Sequence, residues 1–192
     1  VSRVLTTNRL SLSPLTSADL PAVHAIYADP QTWRHLPSGR HTTSAETHRL
    51  LSESERSWDA SGLGRWAVRL REPLPGTALP ADALIGLASA TLMDCGARNL
   101  GYRLTPASWG AGLATEAAAA VLDVARLGEL PVTARALRGN PASVRVLERI
   151  GLTEVWSGNG GGIHGDSSTL DRVVFADRAL SADMLAALIE LG

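Results

Sequence analysis

The sequence predicts an α+β (mixed α/β) fold, a mixed sheet with helices packed on its faces, and three observations predict it. Segments with apolar residues at period two alternate with segments whose apolar residues recur at helical spacing. Capping and breaking residues punctuate the boundaries between them. The order, free of internal repeats, runs strand, two helices, three strands, helix, strand, helix, two strands. With 192 residues the chain fits one domain spanning 1–192, of a size that buries roughly 70% of the surface its unfolded form exposes.

Each element has its own signature. Leu10 and Leu12 alternate with Ser11 and Ser13 before Pro14, which predicts a first strand. Thr16 and Ser17 stand where a helix needs a cap. Leu20, Val23 and Tyr27 form one helical face, and Asp29-Pro30 ends it because proline disfavours the helical conformation of the residue before it. Thr43 and Glu46 have capping-box spacing ahead of Thr47, Leu50, Leu51, Ser54 and Trp58, a second amphipathic helix that stops at Ser61-Gly62. Trp66, Val68 and Leu70 alternate as a strand. Residues 84–93 and 99–104 read as an antiparallel pair joined by a polar hairpin. Ala114, Ala117, Val121 and Val124 predict the buried stripe of the next helix, with Glu116, Asp123 and Arg126 on its outer face. After a short strand over 132–137, Asn140-Pro141 caps and opens a helix with Val144, Leu147 and Ile150 inward, closed by Gly151. Residues 154–156 and 172–176 are the last strands, flanking a glycine-rich run over 158–165. Ser181 caps a terminal helix bearing Leu185, Leu188 and Leu191.

Composition removes several function classes. Hydrophobic residues make up 45% and charged residues 19% with net charge −1, so the chain has no electrostatic footprint for nucleic acid or an anionic membrane. All 18 basic residues are arginine, which rules out a Walker lysine on ATP and a lysine Schiff base to pyridoxal phosphate. The lone Cys95 reads as a small buried residue that forms neither an internal disulfide nor a cysteine-rich zinc site, and no metal is expected. No apolar run approaches the roughly 18 residues of a spanning helix, and residues 1–12 alternate rather than forming a signal core, so the expected location is cytoplasmic.

The chemistry concentrates in residues 99–116. There a strand delivers the turn Trp109-Gly110-Ala111-Gly112 onto the start of an alanine-rich helix. A helix start offers unpaired N–H groups and the positive end of the dipole, and glycines let a ligand approach the backbone. That is a phosphate cradle, although an ordinary strand-to-helix turn is written the same way. A dinucleotide fingerprint would need a third glycine where Thr115 stands, and no acidic residue follows at the expected strand end.

The same residues resemble a known family. Enzymes of the GNAT superfamily of N-acetyltransferases carry Q/R-x-x-G-x-G/A at the turn that binds the coenzyme A pyrophosphate, and Trp109, Gly110, Ala111, Gly112, Leu113 and Ala114 match it except at the first position. The ribosomal-protein-alanine N-acetyltransferase branch commonly has tryptophan there, in a pattern similar to G-Y-x-L-x-P-x-x-W-G-x-G-x-A-T-E-A. This chain reads G-Y-R-L-T-P-A-S-W-G-A-G-L-A-T-E-A from Gly101 to Ala117. A second block, N-P-A-S-V-R-V-L-E-R-I-G-L from Asn140 to Leu152, looks like the family's N-x-x-S-x-x-x-L-x-x-x-G-F. Thr7-Asn8-Arg9-Leu10-Ser11-Leu12 with Asp29-Pro30 resembles the branch's T-x-R-L-x-L and D-P.

The resemblance implies the GNAT acyl-CoA N-acyltransferase fold, with helices on both faces of a sheet that splays between its fourth and fifth strands, and acetyl-CoA as co-substrate. It implies a cytoplasmic enzyme moving acetyl directly to a primary amine, on a protein N-terminus or a small molecule, and leaves room for a homodimer. Backbone groups of Leu104, Thr105 and Pro106 would hold the pantetheine arm. Trp109, Gly110, Ala111, Gly112, Leu113, Ala114 and Thr115 would form the pyrophosphate turn. Asn140 would contact the arm or serve only as a helix cap. Ser143 would donate to the departing thiolate, or be a plain first-turn serine. Family members that use a tyrosine on this helix have it where Leu147 stands, and leucine cannot donate. Glutamate is common in relatives just before L-G-Y, where this chain has Asn99, which cannot accept a proton at neutral pH. His35, His41 and His164 lie in acceptor-side loops with suitable intrinsic pKa values, or are simply solvated. Arg34 and Arg40 are candidates for an anionic group on the acceptor. The missing acid motivates the alternative of an acyl-CoA-binding module without efficient catalysis.

Overall fold

The computed structural model describes residues 3–36, 39–159 and 170–190. Its strands are β1 (Leu5–Thr6), β2 (Leu10–Pro14), β3 (Arg65–Leu70), β4 (Leu84–Leu92), β5 (Arg98–Leu104), β6 (Val132–Leu137), β7 (Thr153–Asn159) and β8 (Asp171–Ala176). Its α-helices are α1 (Leu20–Ala28), α2 (Ser44–Ser61), α3 (Leu113–Ala125), α4 (Pro141–Arg149) and α5 (Ala182–Glu190).

The strands form one sheet in the order β1-β2-β3-β4-β5-β6-β8-β7. Every neighbouring pair is antiparallel except β5 and β6, which α3 connects as a crossover. That parallel contact is short. Only Arg98↔Val132 and Asn99↔Thr133 pair, and beyond them β5 runs on to Leu104 and β6 to Leu137 without each other. The sheet is mixed and splayed between the strands predicted to part. β6 keeps its far edge satisfied by antiparallel pairing with β8 from Thr133↔Ala176 to Leu137↔Arg172.

The core lies where the sheet meets α3 and α4. Trp66, Val68, Ile85, Leu100 and Leu104 from the strands bury against Leu113, Ala117 and Val121 of α3 and Leu147 of α4. A smaller cluster of Val23, Leu50 and Leu87 seats α1 and α2 on the opposite face. The capping signals act as read. Thr43 and Glu46 complete a capping box, Gly62 ends α2 at φ 69°, Asn140 Oδ1 accepts the Ser143 N–H, and Ser181 Oγ accepts the Met184 N–H.

Three readings change. A short strand, β1, precedes the predicted first one and pairs with β2 through Leu5↔Leu12. The helix that follows Thr16 begins with a 3-10 turn at Ser17–Asp19 before α1. The outer face assigned to Glu116 is wrong: its side chain is 17% exposed and turns toward the β1–β2 hairpin. Helical periodicity finds the stripe facing the sheet but is blind to a neighbour packed on the flank. Residues 160–165 of the glycine-rich run, with His164 and Leu191, lie outside the described residues.

Candidate active site

The opening between β5 and β6 ends at the Trp109–Gly112 turn. Gly110 and Gly112 both take left-handed backbone angles, φ 81° and 77°, which side chains other than glycine rarely adopt. Gly112 is the N-cap of α3 and supplies no side chain, so no cap hydrogen bond covers the first-turn N–H groups of Leu113, Ala114 and Thr115. The N-terminus of a helix of 13 residues thus faces outward over a stretch of bare backbone. Trp109 is half exposed, and its Nε1 donates to the Leu104 carbonyl at 3.0 Å, which pins the turn to the end of β5.

One acidic group stands in that first turn, Glu116, and its charge would oppose an anion. Arg9 answers it. Arg9 Nε and backbone N donate to the two Glu116 oxygens at 2.7 and 2.9 Å, Thr7 Oγ1 donates at 2.6 Å, and Arg9 Nη1 donates to the Ala111 carbonyl at 2.8 Å. Burial by itself would raise the Glu116 carboxyl. The hydrogen bonds from Thr7 and Arg9, with the Arg9 charge, outweigh burial and bring it below its ordinary value. Its contribution to stability is therefore present above the unfolded carboxyl value of about 4.3 and lost as the pH falls through the lower folded value. The opening T-x-R-L and the helical T-E-A landmarks thus meet in space, and Arg9 neutralises the one acidic charge beside the turn.

Along the opening, the Thr105 N–H is already bonded to the Ile85 carbonyl at 2.7 Å, and the Thr105 carbonyl takes the Ser108 N–H and Oγ. Since successive strand residues point their amides to opposite edges, the Leu104 N–H faces the opening instead, its carbonyl already accepting Trp109 Nε1. Pro106 has no N–H, and its carbonyl accepts the Trp109 N–H. Of the three residues expected to pair with an extended arm, Leu104 alone has its edge turned that way.

α4 forms the other wall. Asn140 caps it through Oδ1, accepting the Ser143 N–H at 3.3 Å, so its Nδ2 is the atom left for a ligand. Ser143 Oγ lies 2.8 Å from Tyr102 Oη, and Tyr102 Oη also lies 3.0 Å from the Ser143 carbonyl. Tyr102 reaches from β5 to α4 across the splay. Burial pushes its hydroxyl up to about 12, against a smaller opposing effect of the Ser143 hydrogen bond, so it stays protonated. In the sequence Tyr102 is a letter of the G-Y-x-L motif, and the signal that marks it is its inward position, two residues from Leu100 and Leu104 on the α3 side. Leu147 is buried core.

On the opposite face, Asn99 extends over Gly101, where a Cβ would come 3.9 Å from the Asn99 amide nitrogen. His35 is lowered from its ordinary value by burial and by the Arg103 charge. His41 is lowered chiefly by burial, and its Nδ1 shares the Thr47 hydroxyl with His24 Nδ1 at 2.9 and 2.8 Å. Thr47 therefore ties His41 to the α1–α2 contact, whereas no such tether holds His35 among the described residues. Cys95 is half-buried in the β4–β5 hairpin, away from the turn. Among the described residues no cluster of side chains suits a metal ion, and no helix is long and apolar enough to cross a membrane.

The architecture recurs in solved structures. A GNAT-family acetyltransferase from Bacillus anthracis superposes with TM-score 0.72 at 21% identity, covering 90% of this chain and 96% of its own. An acetyltransferase from Agrobacterium tumefaciens gives 0.71 at 25% identity, covering 93% and 96%. RimL, a ribosomal α-N-protein acetyltransferase in complex with coenzyme A, gives 0.71 at 16% identity, covering 90% and 96%. These likenesses concern the fold. Residues 9–153, from the Arg9 that holds Glu116 to the start of β7, match the acetyltransferase (GNAT) domain model, and the chain belongs to that family.

Proposed function

We propose that the protein is an acetyl-CoA-dependent N-acetyltransferase that moves acetyl directly to a primary amine. The observation that carries the reading is the conjunction of an uncapped helix N-terminus behind two left-handed glycines, a β5–β6 pairing of only two residue pairs, and a Ser143 hydroxyl bonded to Tyr102 of β5. The residues fit coenzyme A. The first-turn N–H groups of α3 would take the pyrophosphate, the Leu104 backbone and Asn140 Nδ2 the arm, and Ser143 the sulfur. When bound, acetyl-CoA supplies the activated acetyl group as a thioester. The chain's own residues then have three tasks: to align a neutral amine, to keep the anionic end neutralised, and to pass a proton to the sulfur from Ser143 Oγ, which is made up by the proton the amine releases. No covalent link to the protein is needed. The branch that acetylates ribosomal-protein N-termini is favoured by the W-G-x-G-x-A-T-E-A pattern and by the coenzyme A-bound fold relative, and it makes a protein N-terminus the first acceptor to test.

The Arg9–Glu116 clasp gives a direct test of the anion site. Arg9→Gln leaves the Glu116 carboxylate uncompensated in the first turn of α3, and coenzyme A affinity is expected to fall about five- to tenfold. Adding Glu116→Gln removes the repulsion and should recover most of the loss. Titration calorimetry on the single and double variants measures this, and a double variant no better than Arg9→Gln would place the effect elsewhere than in charge.

Proton removal from the acceptor is the step for which the chain lacks the usual acid. Asn99 sits on the acceptor side of the sheet, and Asn99→Glu is expected to raise the rate near neutral pH about tenfold by adding a carboxylate base there. In the parent, burial lowers both His35 and His41, and His35 is the better candidate because the His41 ring is tied to the Thr47 hydroxyl. If it accepts the proton, the pH–rate profile climbs with a midpoint below the ordinary histidine value and then levels, and His35→Gln removes that limb. A rate that keeps climbing toward the acceptor's own higher pKa assigns the proton to solvent.

A further inference from the structure

The sheet face turned away from α3 gathers arginine. Leu87 of β4 packs with Val23 of α1 and Leu50 of α2, and Arg103 lies opposite Leu87 in the β4–β5 register, so Arg103 projects from that face. Asn99 shares it by strand alternation. The pair Asn99↔Thr133 carries the face across to β6, which brings Arg135 onto it, and the β6–β8 register adds Arg172. Arg135 and Arg172 are close enough that burial and then the Arg172 charge both hold Arg135 below its ordinary value.

The turn between α1 and α2 contributes two more cations. A cavity of about 340 Å³ is lined by Pro30, Gln31, Trp33, Arg34 and Arg40. The Arg103 guanidinium lies 3.1 Å from the centroid of the Trp33 ring and donates to the Thr32 carbonyl. Burial brings Arg103 down to about 10, with only a partial offset from Tyr27. Arg40 spends its Nε on the Ala28 carbonyl at 2.7 Å, and its terminal nitrogens have no hydrogen-bond partner among the described residues.

No ion pair joins Arg34, Arg40, Arg103 or Arg135 to a carboxylate among the described residues. The acids on this side are already engaged. Asp19 pairs with Arg69, Asp29 Oδ1 accepts the Gln31 N–H, and Glu46 is held by the backbone N–H groups of Thr42 and Thr43. A half-buried guanidinium stacked on an indole, with no counter-ion, has an unmet demand for an anion.

We propose that the acceptor is a carboxylate-bearing amine, its carboxylate held in the Trp33 cavity by Arg34 and Arg40 with Arg103 behind the ring, and its nitrogen directed along this sheet face to the β5–β6 opening. The proposal rests on the amine-acetyltransferase reading and names its substrate class. It also bears on the missing acid at Asn99. A cationic surface disfavours the ammonium form, so an amine brought there by its carboxylate loses its proton more readily than in water. The recognised anion and the reacting nitrogen are separate groups of one molecule. Two sources fit that chemistry, a peptide N-terminus with aspartate or glutamate close behind it and a free amino acid whose amine is remote from a carboxylate.

The test uses the full chain with acetyl-CoA and three peptides that share their first residue and continue with acidic, amide or lysine residues, beside free amino acids of increasing amine-to-carboxylate distance. Thiol release gives kcat/KM, and calorimetry on the coenzyme A-loaded protein gives acceptor affinity independently of turnover. The acidic peptide, or one of the amino acids, is expected to exceed its amide counterpart by about tenfold or more in both readouts, with the advantage shrinking at high salt. Arg34→Gln with Arg40→Gln should reduce that advantage to about twofold, and coenzyme A titration serves as the control for folding. Equal use of acidic and amide peptides, a preference for the lysine peptide, or an advantage untouched by the double variant overturns the proposal while leaving the transferase reading intact. Selective binding of the acidic acceptor without turnover does the opposite: it supports the anion site and removes the transferase reading.

Discussion

Replacing Gly112 by aspartate is expected to weaken coenzyme A binding at least a hundredfold in a protein that still folds. Folding is not blocked by crowding, since a Cβ at this position would meet only Arg9 Nη2, at an ordinary 3.7 Å. The backbone cost of a side chain at φ 77° is about 1–2 kcal/mol, and aspartate tolerates that region better than most residues. What is lost is the site. A carboxylate at the α3 N-cap would accept the first-turn N–H groups that are otherwise uncovered, and it would place a negative charge where the pyrophosphate needs positive potential. It would also compete with Glu116 for Arg9. Gly112→Ala separates these effects, because it brings a comparable backbone strain without charge or capping oxygen and should retain measurable affinity. Calorimetric titration with coenzyme A, alongside thermal unfolding of both variants, reads the outcome. An aspartate variant that folds and binds normally would mean that the anion site is not at this turn.

How much of this was legible beforehand follows the physics of each feature. Caps and breakers act locally, so the Thr43–Glu46 box, the Asn140 cap with Pro141, and the stop at Asp29-Pro30 were readable from a few residues. The turn was readable because two left-handed positions in a row of four residues leave glycine little competition. The splay was available only through the family resemblance, because the number of register pairs between β5 and β6 is a tertiary quantity. Contacts between distant segments were illegible. Thr7 and Arg9 reach Glu116 across more than a hundred residues, and a helical wheel assigns Glu116 to solvent because it represents one helix at a time. Tyr102 was hidden for the same reason, its partner lying on α4. The arginines of the sheet face turned away from α3 come from three strands and one turn, and no local window contains them together.

Ser143→Ala is expected to lower the maximal rate about 10²- to 10⁴-fold while leaving acetyl-CoA affinity nearly unchanged. One proton decides the outcome. Tyr102 Oη carries a single hydrogen and lies within bonding distance of both the Ser143 carbonyl and Ser143 Oγ. When it donates to Oγ, the serine hydrogen is released to point into the opening, toward a departing sulfur. When it donates to the carbonyl, the serine hydroxyl must donate back to Tyr102 and is withheld. On the proposed mechanism Tyr102 is a positioning residue that would select the orientation of the Ser143 proton, and its burial keeps its hydroxyl protonated. Tyr102→Phe should give an intermediate loss, roughly tenfold, with the pH limbs in place and only the plateau lowered. A change of leaving group supplies the discriminating readout. A thioester whose thiol has a lower pKa needs less protonation on departure, so the deficit of Ser143→Ala should shrink markedly with it, and that of Tyr102→Phe in parallel. If both deficits are the same for the two thioesters, Ser143 is holding the arm in position rather than donating its proton, and the acid in this site has yet to be assigned.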